Sequence, residues 1–447
     1  MSILKKHWHF LLVVVFFAVN GYAQYVGLIS VWNLLGLLLF LAAFSLLLFW
    51  LGKLFFRSSE KSALFTTFFL VIVLFFGVIE EFLAKFPATA YLSQLKILVP
   101  LCAVLFTLVM IILKRSKKDF PKTRFFLNLL FMIYIVVDAG IIIYKLIVAP
   151  AAKQNETIMQ GLELSKDAAI KKPSVYFIVL DAYSGSSILK KQFNYDNRRF
   201  EAFLEHEQFK VNRLTTSNYL FTIYSLASTL NMDYIPGLGK QSATNHFAYR
   251  RASRMIANNA VTRFFRKNGY EINNYSYFHL EGEPVIFKSD YLPAEVSLIT
   301  HKTMYSRIIN NAVNTLPNMF SMQFLRDKYT EFYVRNNDGM MDRVLKDARE
   351  QEKSPSFTYM HLMMPHEPLA FDSLGKRIKP LMEEDPVPAK QYDAAYLQYL
   401  VYTNNRMKSF IGELKEITNG NAIIMLMSDH GYRKNAVHGD WVYLTIS

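Results

Sequence analysis

Two residue types that bind metals well stand side by side near the carboxyl end of the chain. The apolar run "AIIMLM" leads directly into "SDHG", which contributes Asp429 and His430. Two other apolar runs of strand length, "SVYFIVL" and "SFTYMHL", lead to Asp181 and include His361. In an open parallel sheet the carboxyl ends of the strands meet at one edge, so these side chains are expected to converge. Carboxylate and imidazole ligands without a thiolate suit one divalent metal ion, either zinc or manganese or magnesium.

Each of these residues, taken alone, has an ordinary structural explanation. An Asp after a strand is more often a helix cap or a turn former than a ligand, and a single His is more often a core residue with a hydrogen-bond partner. Three apolar runs that end in Asp, His and Asp-His within one sheet are much harder to explain as separate turns. The set as a whole therefore favours a metal site.

A metal site that performs catalysis needs a nucleophile, and the segment "SNYLFTIYSLASTLNM" offers Thr222. Thr222 stands where a polar loop gives way to an apolar stretch with helical spacing. There its hydroxyl would meet both the free N–H groups of the helix start and a nearby cation, which lower the cost of an alkoxide and receive an anionic ester. From the local sequence, an ordinary helix N-cap explains the same position equally well.

The elements that must position these residues follow an α/β pattern. The three apolar runs are continuous and rich in β-branched and aromatic residues, as strands covered on both faces are. Between them, "TIYSLASTLNM" and "QYDAAYLQYLVYTNNRMKSFIGEL" have helical spacing, and "NGYEINNYSYF" indicates a helix end followed by another strand. Residues 173–447 are therefore predicted to form an α/β domain with a mixed, mainly parallel sheet, after a polar juxtamembrane connector at residues 151–172.

Residues 1–150 hold most of the long apolar stretches. The 447 residues are 52% hydrophobic and 19% charged, which is too apolar for one soluble domain and too charged for a pure membrane bundle. Five stretches are long enough to cross a bilayer core at about 1.5 Å per residue. This predicts a five-helix transmembrane N-terminal domain, with spans at residues 8–23, 31–51, 63–82, 97–113 and 125–148.

The Lys and Arg residues of the short loops set the orientation of these spans. Lys5 and Lys6, three basic residues between positions 53 and 61, and the segment "KRSKKDFPKTR" all fall on one face of the membrane. The opposite face carries the uncharged "NGYAQY" turn and the pair Glu80 and Glu81. The amino terminus is therefore predicted to be cytoplasmic, and everything from residue 151 onward is predicted to lie outside.

The formal net charge of +14 does not indicate nucleic-acid binding. Part of this charge is the cytoplasmic anchoring set, and no basic stripe with interleaved aromatic residues stands out elsewhere. The remaining basic residues suit an anionic membrane surface or a phosphate-bearing substrate. Membrane lipids, and not nucleic acid, are therefore the expected partners.

Two residues inside the predicted spans bear on function. Cys102, the only cysteine, lies in the fourth span, so the exported domain must be stable without disulfides. Asp138 lies in the fifth span, where an ionisable side chain is costly. A hydrogen bond to a neighbouring helix is the favoured interpretation of Asp138, and a position on a lipid path is the alternative.

Four motifs occur in the order "VYFIVLDAYS", "TIYSLASTLNM", "HLMMPHEP" and "MSDHG". This order resembles the sulfatase-like branch of the alkaline phosphatase superfamily, with "SDHG" the sharpest element and "DAYS" the weakest. Five spans before such a domain are similar to the bacterial lipoteichoic acid synthases and lipid A phosphoethanolamine transferases. The resemblance covers nearly the whole chain. It implies an enzyme of the bacterial cytoplasmic (inner) membrane whose catalytic domain faces the periplasm or the exterior.

Carried over residue by residue, the resemblance implies a metal centre that also holds the nucleophile. Thr222 would be the catalytic nucleophile as well as a ligand. The implied metal ligands are Asp181, Thr222, Asp429 and His430.

Four further residues would serve the substrate. His366, in "MPHEP", is implied as a contact with the transferred group, with His361 as a weaker companion. His438, in "VHGD", resembles a second His that follows the Asp-His-Gly motif, and it would act as acid for the leaving group or as base for the incoming alcohol. Arg433 stands where relatives place an acidic residue, and a phosphate contact and a solvated charge explain it equally well.

The chain departs from the family pattern in three ways. Typical sulfatases need a Cys/Ser-x-Pro-x-Arg frame for conversion to formylglycine, and the sequence has no such frame, so sulfate hydrolysis by that route is not expected. The phosphoethanolamine transferases are rich in disulfides, so their exact substrate is not transferred to this chain. After His438 only "GDWVYLTIS" remains, so the domain is expected to be either naturally short or truncated, with an incomplete sheet edge near the site.

These observations predict a membrane-bound, metal-dependent, sulfatase-like phospho-group transferase. Thr222 would attack a phosphodiester of a phospholipid-type donor, and an envelope acceptor would resolve the phospho-threonyl intermediate. The nearest alternative is a hydrolase of the same fold, a phosphodiesterase or a sulfatase-type sulfuric ester hydrolase. A non-catalytic membrane scaffold or sensor with a decayed enzyme domain is the alternative from another class, and it predicts no bound metal.

Overall fold

The protein is described by a computed structural model, which covers residues 6–26, 29–148, 172–235, 238, 246–286, 294–314, 323–350, 355–383, 385 and 387–433. The described residues fall into two compact units. The first unit contains those of 1–152 and 290–312, and the second contains those of 153–289 and 313–447. The segment at 290–312, which the sequence-based division places in the α/β domain, thus belongs to the first unit by its contacts.

The chain passes from an all-helical part to an α/β part. The helical part contains α1 (His9–Gln24), α2 (Val31–Phe56), α3 (Ser59–Leu74), α4 (Phe76–Ala84), a short 3-10 helix (Ala90–Ser93), α5 (Leu95–Arg115) and α6 (Pro121–Val148). There follow β1 (Ser174–Leu180), α7 (Ser186–Phe193), α8 (Arg198–His206), α9 (Thr222–Thr229), α10 (His246–Ala257), α11 (Ala260–Lys267), β2 (Glu271–Tyr275), α12 (Ala294–Thr300), α13 (Met304–Asn314), α14 (Gln323–Glu350), β3 (Ser356–Leu362), β4 (Leu369–Phe371), β5 (Arg377–Leu381), α15 (Ala389–Ile417) and β6 (Ala422–Ser428).

Three helices of the described chain, α2, α5 and α6, are long and apolar enough to cross a membrane. The pair α3 and α4 qualifies as a fourth span, but it is bent by 57° at the break between the two helices. Helix α1 is apolar but has only 16 residues, about 24 Å at the helical rise, which is less than the roughly 30 Å of a hydrocarbon core. The structure therefore supports three or four spans, and the predicted count of five is not confirmed.

Asp138 of α6 is hydrogen-bonded within the first unit. Its side chain is buried. The Asn20 amide of α1 donates to both carboxylate oxygens, at 3.1 and 3.3 Å, and Gln24 donates to the Asn20 side chain at 3.0 Å. This is the bond to a neighbouring helix that the sequence analysis favours, and it offsets the cost of a carboxylate in this environment.

The second unit is built on the mainly parallel sheet that the sequence predicts. Four parallel strands lie in the order β2-β3-β1-β6, while β4 and β5 form a separate antiparallel pair. Strand β1 is central and buried along all but its first residue, as a continuous apolar sequence requires. The three apolar runs of the sequence are therefore neighbouring strands.

Helices cover both faces of β1. The even-numbered residues from Tyr176 to Leu180 belong to a core that includes α14 and α15. The odd-numbered residues from Val175 to Val179 belong to a second core that includes α9 and α10. Because successive strand residues point to opposite faces, one short run of the sequence anchors both layers.

Ile178→Ala tests the central position of β1. Ile178 is 1% exposed, so the cavity left by truncation is expected to lower the free energy of unfolding by about 2–5 kcal/mol. The matched control is Leu374→Ala, because Leu374 is 93% exposed and should change stability by less than about 0.5 kcal/mol. Thermal and denaturant unfolding of the detergent-solubilised protein measure both. Equal effects of the two substitutions would contradict the core assignment.

Candidate active site

Three adjacent strands bring the predicted metal ligands to one edge of the sheet. The last residue of β1 is aligned with the last residues of both β3 and β6. Asp181 directly follows β1, Asp429 directly follows β6, and His361 is the last residue but one of β3. As a result, ligand atoms of these three buried residues all lie within 4.8 Å of one another.

Short distances join the residues of this cluster. His361 Nε2 lies 3.2 Å from Asp181 Oδ2. His430 Nε2 lies 3.3 Å from Asp429 Oδ2 and 3.6 Å from Asp181 Oδ1. Thr222 Oγ1 lies 3.2 Å from His430 Nε2. The four predicted ligands are thus brought together, and His361 joins them.

The cluster has the chemistry of a divalent metal site. Asp181 Oδ1 and Asp429 Oδ2 are buried and have no hydrogen-bond partner among the described residues. A buried carboxylate without a partner is costly, and two nearby carboxylates repel each other. A cation between them would remove both penalties. Two carboxylates, two imidazoles and a hydroxyl, without a thiolate, fit zinc, manganese or magnesium.

The protonation states of the cluster favour metal binding. Burial by itself would raise the pKa of Asp181, but His366 and the hydrogen bond from His361 hold it well below its usual range. Burial lowers the pKa of His430, which favours the neutral imidazole that a metal ligand requires. Burial would also lower the pKa of His366, but the carboxylates of Asp181 and Glu367 outweigh it and raise this pKa. His366 therefore keeps a positive charge to higher pH than an isolated His.

The loop after β1 orients Asp429. Ala182 has a left-handed backbone with φ of +60°, and its N–H donates to Asp429 Oδ1 at 3.1 Å. The N–H of His430 donates to the same oxygen at 2.8 Å, and the N–H of Tyr183 donates to Ser428 Oγ at 3.1 Å. One oxygen of Asp429 is thus fixed by backbone donors, which leaves Oδ2 directed to the cluster. This network gives the weakest motif of the sequence, "DAYS", a structural role.

Tyr396 of α15 is a supporting residue in the segment "QYDAAYLQYLVYTNNRMKSFIGEL", for which the sequence predicted only a helix with one apolar face. Its hydroxyl accepts a hydrogen bond from the N–H of Ser184 at 3.2 Å and donates to the carbonyl of Ala182 at 2.8 Å. Tyr396 is buried, so these bonds fix the loop after β1 from the side of the helix. A hydroxyl-bearing residue within an otherwise apolar stripe is the one sequence signal that could have indicated this role.

Thr222 is the first residue of α9, and its hydroxyl is not used as a helix cap. Phe221 occupies the N-cap position, and no side chain caps the helix. The Thr222 hydroxyl instead lies beside His430. One turn later, the Ser225 hydroxyl donates to the backbone carbonyl of Asp429, so the start of α9 is tied to the Asp-His pair. The cap alternative left open by the sequence therefore does not describe this helix start.

His366 and Arg433 lie together beside the cluster. Arg433 Nη2 is 3.5 Å from His366 Nε2, and Arg433 Nη1 donates to the carbonyl of Leu220 at 3.3 Å. Together with Ala182, these two side chains help to line a cavity of about 30 Å³. Two groups that can carry positive charge thus face the same cavity. His438 lies outside the described residues.

Asp429→Asn tests the metal site. The substitution removes one of two negative charges, so the affinity for zinc or manganese is expected to fall by at least about tenfold, since even changes outside the ligand set have effects of this size. Elemental analysis and metal titration of the purified protein measure the loss. Asp342→Asn, at an exposed Asp of α14, is the control and should retain the metal. A wild-type protein that carries no metal, and whose melting temperature does not rise with added zinc or manganese, would contradict the site.

Tyr396→Phe tests the support of the loop after β1. It leaves the N–H of Ser184 and the carbonyl of Ala182 without this partner in a buried place, so the free energy of unfolding is expected to fall by about 1–3 kcal/mol, with a weaker metal affinity. Tyr402→Phe on the same helix is the matched control, because the Tyr402 hydroxyl has no hydrogen-bond partner within the described part of the chain. If both variants melt at the same temperature, the hydroxyl of Tyr396 has no supporting role.

Comparisons with known proteins identify the family of the chain. The model of the sulfatase family matches residues 194–441. No curated protein sequence matches the chain. Among solved structures, the chain is similar to the integral membrane protein lipooligosaccharide phosphoethanolamine transferase A from Neisseria meningitidis, with 11% identity over 98% of this chain and 84% of that chain and a TM-score of 0.37. Because the family match spans more than half of its residues, the chain belongs to the sulfatase family.

Proposed function

We propose that this chain is a membrane-bound, metal-dependent phospho-group transferase that acts on lipid-linked or envelope-glycan phosphodiesters. The observation that carries the proposal is the position of Thr222 Oγ1, 3.2 Å from His430 Nε2, at the sheet edge where two buried carboxylates each have one oxygen without a hydrogen-bond partner among the described residues. Membership of the sulfatase family supports an enzyme of the alkaline phosphatase superfamily. The apolar helices of the first unit support a donor drawn from the bilayer.

One divalent ion is expected at the cluster, with His361 as an additional ligand. The Tyr359 hydroxyl lies 3.1 Å from His361 Nδ1, and such a partner orients the imidazole of a metal-binding His. The other ring nitrogen faces Asp181, which favours a ligand role over the substrate contact that the family resemblance implies. When bound, the ion would stabilise the alkoxide of the nucleophile and the charge of the ester. The remaining ligands are Asp181, Thr222, Asp429 and His430.

The residues of the site can perform the transfer in two displacements. Thr222 Oγ1 forms a bond to phosphorus while the bond from phosphorus to the donor alcohol breaks, and the proton of Thr222 leaves with that alcohol. His366 and Arg433 receive the non-bridging oxygens, because both can carry positive charge and Arg433 is bonded to the carbonyl of Leu220, two residues before Thr222. An acceptor alcohol then displaces Thr222, which recovers its proton. We assign the transfer of these protons to His438, following the family resemblance.

We further propose that residues 173–447 carry the catalysis outside the bacterial cytoplasmic membrane, where phospholipid donors and envelope acceptors meet. One charge pattern supports this side. Glu80 and Glu81 stand on the face that the basic loops predict to be external, and they form ion pairs with Lys302 and Arg307 from the second half of the sequence. These pairs put Lys302 and Arg307 beside Glu80 and Glu81, as an external position of residues 173–447 requires.

A hydrolase of the same fold is the second candidate, because the matching family model is that of the sulfatases. In a hydrolase, water would take the place of the acceptor alcohol. The absence of a Cys/Ser-x-Pro-x-Arg frame from the sequence argues against a formylglycine sulfatase. A donor lipid with a labelled head group, incubated with and without an acceptor lipid, separates the two candidates: a transferase moves the label to the acceptor, and a hydrolase releases it to water in both cases.

Thr222→Ala tests the nucleophile. Turnover is expected to fall by at least about a thousandfold while the metal remains bound, since both carboxylates and both imidazoles remain. Thr222→Ser keeps a hydroxyl and should retain part of the activity. Mass spectrometry of the wild-type protein from native membranes should detect a covalent phospho-adduct on Thr222 that Thr222→Ala lacks. A fully active Thr222→Ala protein would exclude the mechanism.

A further inference from the structure

A segment from the middle of the sequence is packed against the membrane helices. Residues 294–309, which comprise α12 and the first part of α13 and are called the docking segment here, belong to the same unit as α1 to α6. Val296 and Ile299 of α12 are buried in a core with α1 and α2. The chain before residue 290 and after residue 312 belongs to the second unit. The docking segment is therefore a second attachment of the catalytic part of the chain, besides the predicted connector at 151–172.

Two glycines allow the docking segment to approach. A Cβ at Gly21 of α1 would lie 2.5 Å from Cγ2 of Ile299. A Cβ at Gly77 of α4 would lie 2.9 Å from the backbone oxygen of Lys302 and 3.0 Å from its Cα. Such distances are too short for non-bonded atoms, and at Gly77 the obstacle is backbone, which cannot rotate away. The membrane helices thus present surfaces without side chains at the two places where the segment touches them most closely.

The docking segment also accepts a hydrogen bond at the break between α3 and α4. A helix start leaves N–H groups without intrahelical partners, and such groups are costly where water is scarce. The N–H of Gly77 donates to the carbonyl of Lys302 at 2.7 Å. The docking segment therefore supplies an acceptor that the bent span itself lacks at this point.

Ion pairs also join the docking segment to α4. Lys302 Nζ lies 2.6 Å from Glu81 Oε2, and Arg307 Nη2 lies 2.7 Å from Glu81 Oε1. Arg307 Nε lies 3.4 Å from Glu80 Oε2. Two acids on the membrane helices thus meet two bases of the docking segment. A network of this kind restrains its members more than an isolated surface pair does.

We propose that the groove formed by Gly21, Gly77, Glu80 and Glu81 is a docking surface for residues 294–309, and that docking is required for turnover of a lipid-borne phosphodiester but not of a soluble one. This rests on the proposed function of the site. A second attachment at the membrane raises the effective concentration of the catalytic part near substrates held in the bilayer. A soluble ester reaches the site by diffusion and gains nothing from it.

Gly77→Ala in the full-length protein tests the proposal, with Gly140→Ala as the matched control. A Cβ at Gly140 meets nothing within 4 Å, so the control adds the same methyl group to an apolar helix without a clash. Hydrogen exchange in nanodiscs is expected to rise within 294–309 for Gly77→Ala only. In Gly77→Ala, the ratio of phospholipid turnover in vesicles to bis(p-nitrophenyl) phosphate turnover in solution is expected to fall about tenfold or more.

Charge exchange gives a second test that does not depend on how Gly77→Ala folds. Glu81→Lys should raise exchange in the docking segment and lower the same ratio, and adding Lys302→Glu should restore much of both. Three results would each overturn the proposal. They are unchanged hydrogen exchange of residues 294–309 in the single variants, an equal loss of turnover on both substrates, and full lipid turnover with a detached segment. A wild type that turns over neither substrate would contradict the proposed function instead, and the exchange measurements would then still decide whether the segment docks.

Discussion

The repulsion between two buried carboxylates is the constraint around which the second unit is organised. Asp181 and Asp429 follow adjacent parallel strands whose last residues are aligned, so the sheet forces them together. Neither can reach water, and each has one oxygen without a partner among the described residues. Such a pair is stable only with a cation or a shared proton. The low pKa of Asp181, which His366 and His361 maintain, favours the cation.

The remaining polar groups around this pair keep that geometry in place. Asp429 Oδ1 is occupied by two backbone N–H donors, so only its second oxygen is available to a ligand. The Tyr396 hydroxyl of α15 holds the loop after β1. The Ser225 hydroxyl ties the start of α9 to the backbone of Asp429. A nucleophile must be positioned to within a fraction of an ångström. The network explains how Thr222, the proposed nucleophile, can be held that closely at the start of α9.

Much of this site follows from the sequence, because a parallel sheet gathers whatever follows its strands. The strand-end pattern alone placed Asp181, His361 and Asp429 together, and the structure agrees. The role of Tyr396 was missed, because its hydroxyl reaches a carbonyl 214 positions away and helical spacing reports only which face is apolar. The bend of the third span was missed for a similar reason: residues 63–79 carry no charge, and hydropathy does not detect a change of direction.

The bent span also shows how acidic residues without nearby bases in the sequence can indicate a partner from a distant part of the chain. Glu80 and Glu81 follow an apolar stretch, and two adjacent acids at the end of a membrane helix are costly without cations. The nearest bases in the sequence, Lys85 and Lys96, do not form ion pairs with them in the described structure, and Lys302 and Arg307 do. Gly77, three residues before the acids, removes the side chain that would block this approach. A glycine and two unneutralised acids within one turn of a broken span therefore mark a surface that is built to receive another part of the chain.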